Sequence, residues 1–278
     1  MGKFVKNILK LIMRPEMKIL PGQLAFFIIL AIFPLLTLIG YIGSNISLFS
    51  TAFVSAINDV LPKDIANIIL PFITESKITG NIAFFMIVGF ILVSNGTNSL
   101  IVASNELFGI SKDDFIKRRI KAFFMIILLM ALFIFTILVL AYGSVIAKFI
   151  ASQSIFIDIS DQLYFFFILL RWPIAIALIF FSIKLLYSIA PNEKIPSKYM
   201  NYGALFTTLG WVIITALYSY YVSHFANYTM FYGGISTIIV MMIWIYFLSF
   251  ILVMGIAINS KIYNDTKKYT LIKEVQNN

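Results

Sequence analysis

The chain has 278 residues and no cysteine, with 61% apolar side chains, 12% charged ones and a mean hydropathy of +0.97; soluble domains carry about 25% charged residues, so this is an integral membrane protein. Without cysteine there can be no disulfides, thiolate metal sites or thiol catalysis. The formal charge of +9 would suggest a nucleic-acid partner in a soluble protein, but here it lies between and beside the apolar stretches, where it orients the chain in the bilayer.

In chain order, Phe4, Ile8, Leu11 and Ile12 recur at helical spacing opposite Lys3, Lys6, Lys10 and Arg14. That pattern predicts an amphipathic helix lying in the headgroup layer, assigned to residues 1–20 and broken near Pro15. No small-residue cleavage site follows, so the apolar run beginning at Leu24 is expected to stay as a span. Charge-free stretches over 19–58, 78–105, 122–147 and 199–260 exceed the ~20 residues that a helix needs to cross the hydrocarbon core, and the last is long enough for two crossings. Continuous apolar runs exclude a transmembrane β-barrel, whose strands alternate in polarity. The expectation is an all-α membrane domain over 21–260 with six transmembrane helices at 24–45, 81–103, 122–146, 167–189, 203–224 and 233–258, followed by a basic tail at 261–278. Between the first two spans, Leu61, Ile65, Ile68 and Phe72 predict one or two short amphipathic helices resting on the outer surface or capping the bundle.

Lys and Arg test this arrangement. Sixteen lie on one set of flanks (3–18, 104–121, 190–201 and the tail) against three, Lys63, Lys77 and Lys148, on the other. The bias puts both termini in the cytoplasm, which requires an even number of spans.

Several segments carry a family likeness. Leu24-Ala25-Phe26-Phe27 leads to Phe33-Pro34. Asn105-Glu106-Leu107-Phe108-Gly109 is followed by Arg118 and Arg119, and Arg171-Trp172-Pro173 runs on to Tyr187 and Pro191. Gly203-Ala204, Trp211, Tyr221, Tyr228, Tyr232-Gly233, Trp244 and Gly255 complete the order. Together they resemble the BrkB/YihY family of bacterial inner-membrane proteins, historically labelled ribonuclease BN. The resemblance covers about residues 20–260 and implies a multi-pass protein of the bacterial cytoplasmic membrane. Ala31 stands where a serine is common in the family, and Ala257 where many members carry a glutamate, so no role of that glutamate carries over.

Polar groups inside the spans need a partner, a cavity or an escape to the interface. Ser94-Asn95-Gly96-Thr97-Asn98-Ser99 interrupts the second span. Either the helix opens there to line a polar cavity, or its small and polar side chains bind helices together. Arg171 has two readings as well: it snorkels to the outer interface beside Trp172, or it points into the bundle to hold an anion. Lys184 is expected to snorkel at the cytoplasmic end, and Gln23 to lie at the interface. Pro34 marks a kink, and the tyrosines with His224 over 218–232 form an outer aromatic belt or a gate.

No enzymatic activity is expected. The single histidine, His224, falls on the outer side, and the cytoplasmic acids are scattered, so a metal-dependent nuclease lacks its ligands. Ion coupling through an intramembrane carboxylate is disfavoured, since none occurs over 78–105 or 199–260. The sequence reading is a transporter or exporter of an amphipathic or anionic, lipid-type envelope substrate. Asn95, Thr97 and Asn98 would line the inner half of its path and Arg171 would attract phosphate in the outer half. The alternative is a non-transporting scaffold or envelope-integrity protein. Membrane lipids are the expected partners, with no nucleic acid, cofactor or metal; oligomeric state is left open.

Overall fold

The computed structural model describes residues 12–44, 82–111, 114–128, 160–225 and 235–277, with single residues between 54 and 71 and Leu132. Regular structure among these residues is entirely helical. It comprises α1 (Pro15–Ser44), α2 (Ile82–Phe108), α3 (115–128), α4 (Ser160–Ile189), a 3-10 turn (Ser197–Met200), α5 (Asn201–Phe225) and α6 (Ile235–Asn277). Four stretches in them are long and apolar enough to cross a membrane: Ile87–Phe108, Trp172–Ile189, Ser197–Tyr221 and Ile238–Tyr269. They match the expected second, fourth, fifth and sixth crossings. The expected first crossing is helical as far as Ser44, and the third is described only to residue 128.

Two boundaries differ from the sequence reading. Residues 15–20, assigned above to an interfacial helix, form the first turns of α1, with Met17 and Leu20 buried. Proline at the first helical position explains the start, since its fixed φ suits a helix and its missing N–H would have gone unpaired there. The break falls at residues 13–14, and the part of the amphipathic segment before residue 12 lies outside the described residues. At the other end, α6 does not stop at residue 260 but continues to Asn277, 43 residues in all. At 1.5 Å per residue that is ~65 Å, about twice the hydrocarbon thickness, so the basic part extends well beyond any span. Of the 46–80 segment, the described residues (54, 55, 58, 63, 66, 67, 70 and 71) are helical, and Asn58 Nδ2 donates to the Val54 carbonyl at 3.0 Å.

Caps at the α2–α3 connection define how the site is presented. α2 ends in a Schellman motif, with Ile110 N–H on Asn105 O (2.9 Å), Gly109 N–H on Glu106 O (3.2 Å) and Gly109 at φ 71°. α3 then starts from Asp114, whose carboxylate accepts from the backbone N–H of Ile116 (3.1 Å) and of Lys117 (3.4 Å) and pairs with Lys117 Nζ at 3.4 Å.

α6 is the common partner, packing on α5, α1 and α2; α1 also packs on α2, and α4 on α5. Gly96 of α2 lies against Phe27 of α1, and Met17, Leu20 and Leu24 from the start of α1 share a core cluster with Leu100, Ala103 and Leu107 from the end of α2, so the two run antiparallel. Ser260 donates to Leu107 O at 2.5 Å, and the Tyr263 ring meets those of Phe108 and Tyr199. These contacts, with those of Lys121 and Asn105 given below, gather one end of α2, α3, α4 and α5 around residue 260 of α6. The basic loops lie here, and this is called the basic end below.

Candidate functional site

Six small or polar residues do not open α2: the helix is continuous from Ile82 to Phe108. The hydroxyls supply the reason. Ser99 Oγ donates to Asn95 O (2.9 Å), and Thr97 Oγ1 lies 3.2 Å from Ser94 O and 3.1 Å from Ala122 O on α3. Groups that bond back into their own helix need no unwound backbone. Ser94, Thr97 and Ser99 are buried, and Gly96 leaves room for Phe27 of α1. Gly96 thus meets α1 and Thr97 meets α3, while Ser94 and Ser99 are buried, an arrangement of small residues like that at close contacts between membrane helices.

Asn95 and Asn98 differ. Both are only half-buried and sit three residues apart, on one side of the helix. Asn95 Oδ1 accepts a hydrogen bond from Arg119 Nη1 at 2.7 Å, a contact the sequence reading did not anticipate. The rotation of α3 makes it possible. Ile116, Ile120, Phe123, Phe124 and Ile127 occupy its exposed face, whereas Ala122, Met125 and Ile126 are buried and Arg118, Arg119 and Lys121 half-buried. The apolar face points outward, while Arg119 and Lys121 reach across to neighbouring helices. Farther along the two helices the Phe90 and Phe123 rings meet, their centroids 4.7 Å apart.

Lys121 staples the other flank of α3. Its Nζ donates to Ala190 O (2.9 Å), Pro191 O (2.5 Å) and Asn192 Oδ1 (3.3 Å), at the C-terminal end of α4. An ammonium among helix-terminal carbonyls is favoured by the dipole, while burial pushes its pKa down to about 8. Asn192 N–H donates in turn to Asn105 Oδ1 on α2 at 2.9 Å.

Arg171 lies in α4, eighteen residues before its end at Ile189. Its Cα is ~27 Å from that end, against ~20 Å for Asn95 from the end of α2. Its side chain, like that of Pro34, lies outside the described residues. Lys184 is half-buried and Gln23 exposed.

A third polar group joins α4, α5 and α6. Tyr187 OH donates to Leu252 O (2.7 Å), and since it has a single proton, it accepts from Thr207 Oγ1, also at 2.7 Å. Gly203 N–H, in the first turn of α5, donates to Asn259 Oδ1 at 2.7 Å. The helices meet at glycines: a Cβ at Gly203 would strike Gly255 O and the Asn259 amide, and one at Gly255 would strike Thr207 Oγ1 and Tyr187 OH. Trp211 Nε1 donates to Leu248 O (2.9 Å) and Trp244 Nε1 to Thr215 Oγ1 (3.3 Å). Tyr187, Gly203, Trp211, Trp244 and Gly255, residues that carried the family likeness, are thus joints of this bundle. At the far end His224 stacks on Tyr220 with centroids 4.3 Å apart, while Tyr228, Tyr232 and Gly233 lie outside the described residues.

The family described as "Virulence factor BrkB" matches residues 12–276. Among curated proteins, the ribonuclease-like protein YfkH of Bacillus subtilis (strain 168) is 29% identical over 251 residues, covering 88% of this chain and 90% of its own. The UPF0761 membrane protein IL2447 of Idiomarina loihiensis is 32% identical over 89 residues, which is 32% of this chain and 31% of that protein. The UPF0761 membrane protein PSHAa0171 of Pseudoalteromonas translucida is 32% identical over 113 residues, or 40% and 37%. No solved structure matches the chain.

Proposed function

The chain belongs to the BrkB family of membrane proteins, and from that premise we propose that it spans the bacterial cytoplasmic membrane six times with both termini inside and moves an anionic, lipid-type envelope substrate across it. The observation that carries this reading is the Arg119–Asn95 hydrogen bond inside the apolar stretch Ile87–Phe108. A cation at such depth is costly unless it serves a pathway or a partner. A lipid keeps its tails in the hydrocarbon, so the protein has to shelter only a headgroup. Asn95, Asn98 and Arg119 form a polar seam suited to that task, with Thr97 holding its two helices together, and Arg171 is assigned the second cationic station, in the outer half.

The proposal includes no RNA cleavage; the ribonuclease-like name is that of YfkH. Nuclease-free protein that cuts tRNA, and stops cutting on Asp113→Asn, would overturn this part.

A second reading, a scaffold that transports nothing, draws support from the packing roles of Ser94, Gly96, Thr97 and Ser99 and from the glycine contacts of α5 with α6. Vesicles reconstituted with headgroup-labelled anionic phospholipid separate the two. Asn95→Leu and Arg171→Ala each lower the rate of lipid movement at least tenfold while expression and thermal midpoint hold. Loss of folding in both variants, or unchanged movement in both, favours the scaffold.

A further inference from the structure

Arg119 stands among the cations that orient the chain, yet its side chain is turned away from the lipid-facing surface of α3. Ile116, Ile120 and Phe124 hold that surface, and the guanidinium reaches α2. Its partner there is neutral. The Asn95 amide oxygen takes one of five guanidinium donors and contributes no countercharge.

Two other cations of α3 are engaged differently. Lys117 is paired with Asp114, its side chain 85% exposed, and Lys121 is surrounded by the three oxygens at the end of α4. Asn98 lies three residues beyond Asn95 on the same side of α2 and is half-buried, so a second amide with two donors borders the place where Arg119 arrives. Among the described residues, the seam therefore gathers the Arg119 charge and several N–H donors between two helices held together by the Thr97–Ala122 bond.

We propose that Arg119, with Asn95 and Asn98, is a binding site for a phosphate oxyanion, either the phosphodiester of an anionic lipid or free inorganic phosphate. The planar fork of a guanidinium donates to two phosphate oxygens at once, which a lysine in its place would not reproduce. The amides add direction without adding charge, so a bound phosphodiester would leave the seam close to neutral. The inference rests on the transport reading for its purpose but not for the binding itself.

The full chain in phosphatidylcholine nanodiscs doped with phosphatidylglycerol provides the test, with retained lipid counted by native mass spectrometry. Wild type is expected to retain phosphatidylglycerol in preference to phosphatidylcholine. Arg119→Gln reduces that retention at least tenfold, Arg119→Lys reduces it partly, and Lys117→Gln leaves it within twofold of wild type. Millimolar inorganic phosphate that displaces the retained lipid supports a site for the free anion; lipid that persists supports the headgroup as ligand. Equal losses in Lys117→Gln and Arg119→Gln would mean general surface attraction and overturn the site, as would full retention in Arg119→Gln. Arg119→Lys keeps the charge and guards against a variant that merely misfolds; no deficit in it, alongside a misfolded Arg119→Gln, also overturns the proposal. Retention by wild type without movement in vesicles removes the transport reading and leaves the site. Movement without Arg119-dependent retention removes the site and leaves that reading.

Discussion

At Gly255 a single hydrogen separates a working joint from a collision, because an added methyl would meet Thr207 Oγ1 and Tyr187 OH, which are bonded to each other, the tyrosine also to the α6 backbone at Leu252 O. Gly255→Ala is expected to destabilise the chain by ~1–3 kcal/mol, the usual range for overpacking a tight interior; a lowered thermal midpoint in detergent would show it, and an unchanged one would mean that α5 and α6 can separate freely. The sequence marks this glycine only through family likeness, since composition does not say which helix will face it. Asn95 was legible because an amide in an apolar run is conspicuous, but its partner was not. Arg119 lies 24 residues away, in a loop whose charges were read only as orientation signals. Neither the periodicity of α2 nor that of α3 states their register, which rests on Thr97–Ala122 and Phe90–Phe123. Arg171 drew attention for the opposite reason, being a charge inside a span, and its part in the proposed path rests on that placement.

The element whose role changed most is α3. Its first turns read as a solvated basic loop running into a span, yet Asp114 caps it, Arg119 reaches α2 on one flank and Lys121 reaches the end of α4 on the other. The backbone N–H of Lys117 holds the Asp114 carboxyl below its usual pKa, so the cap is lost only in acid. Lys121 has a sharper signature. Burial sets its pKa at about 8, below the 10.5 of the free side chain. Between those values the unfolded chain keeps a proton that the folded chain has released, so stability rises with pH across that window; below pH 8 both states are protonated and the desolvation penalty is paid in full. Thermal midpoints from pH 7.5 to 10 should climb for wild type by a few degrees more than for Lys121→Met; parallel curves would place Lys121 in water. Helix type and rough extent were readable for α2, α4, α5 and α6 from unbroken apolar runs. The ends were not, because Lys18 and Lys261 were taken as limits where the backbone had no reason to stop: Pro15 starts α1, and no proline interrupts α6.

For the whole molecule, α6 is the axis on which α1, α2 and α5 pack, α4 lies outside on α5, and Lys121 and Asn105 tie α4 to α3 and α2 at the basic end. An all-helical membrane bundle was plain from hydropathy. How its helices pair was not, because in lipid the pairing depends on small residues and isolated polar contacts, while the apolar majority is indifferent. The proposed orientation puts the basic end in the cytoplasm: cysteines introduced near either terminus should stay unlabelled by an impermeant maleimide in intact cells, whereas one near Lys63 should react. The reverse pattern would invert the path.

The absence of native cysteine gives a silent background for the most direct test, which is whether water or a headgroup reaches the α2–α3 seam. Asn98→Cys in membranes is predicted to react with a water-soluble thiol reagent, far faster than Ala257→Cys in the fully buried face of α6, and to be protected when anionic lipid is added. If position 98 is as inert as position 257, the seam is a dry packing surface and the account of a sheltered headgroup is contradicted.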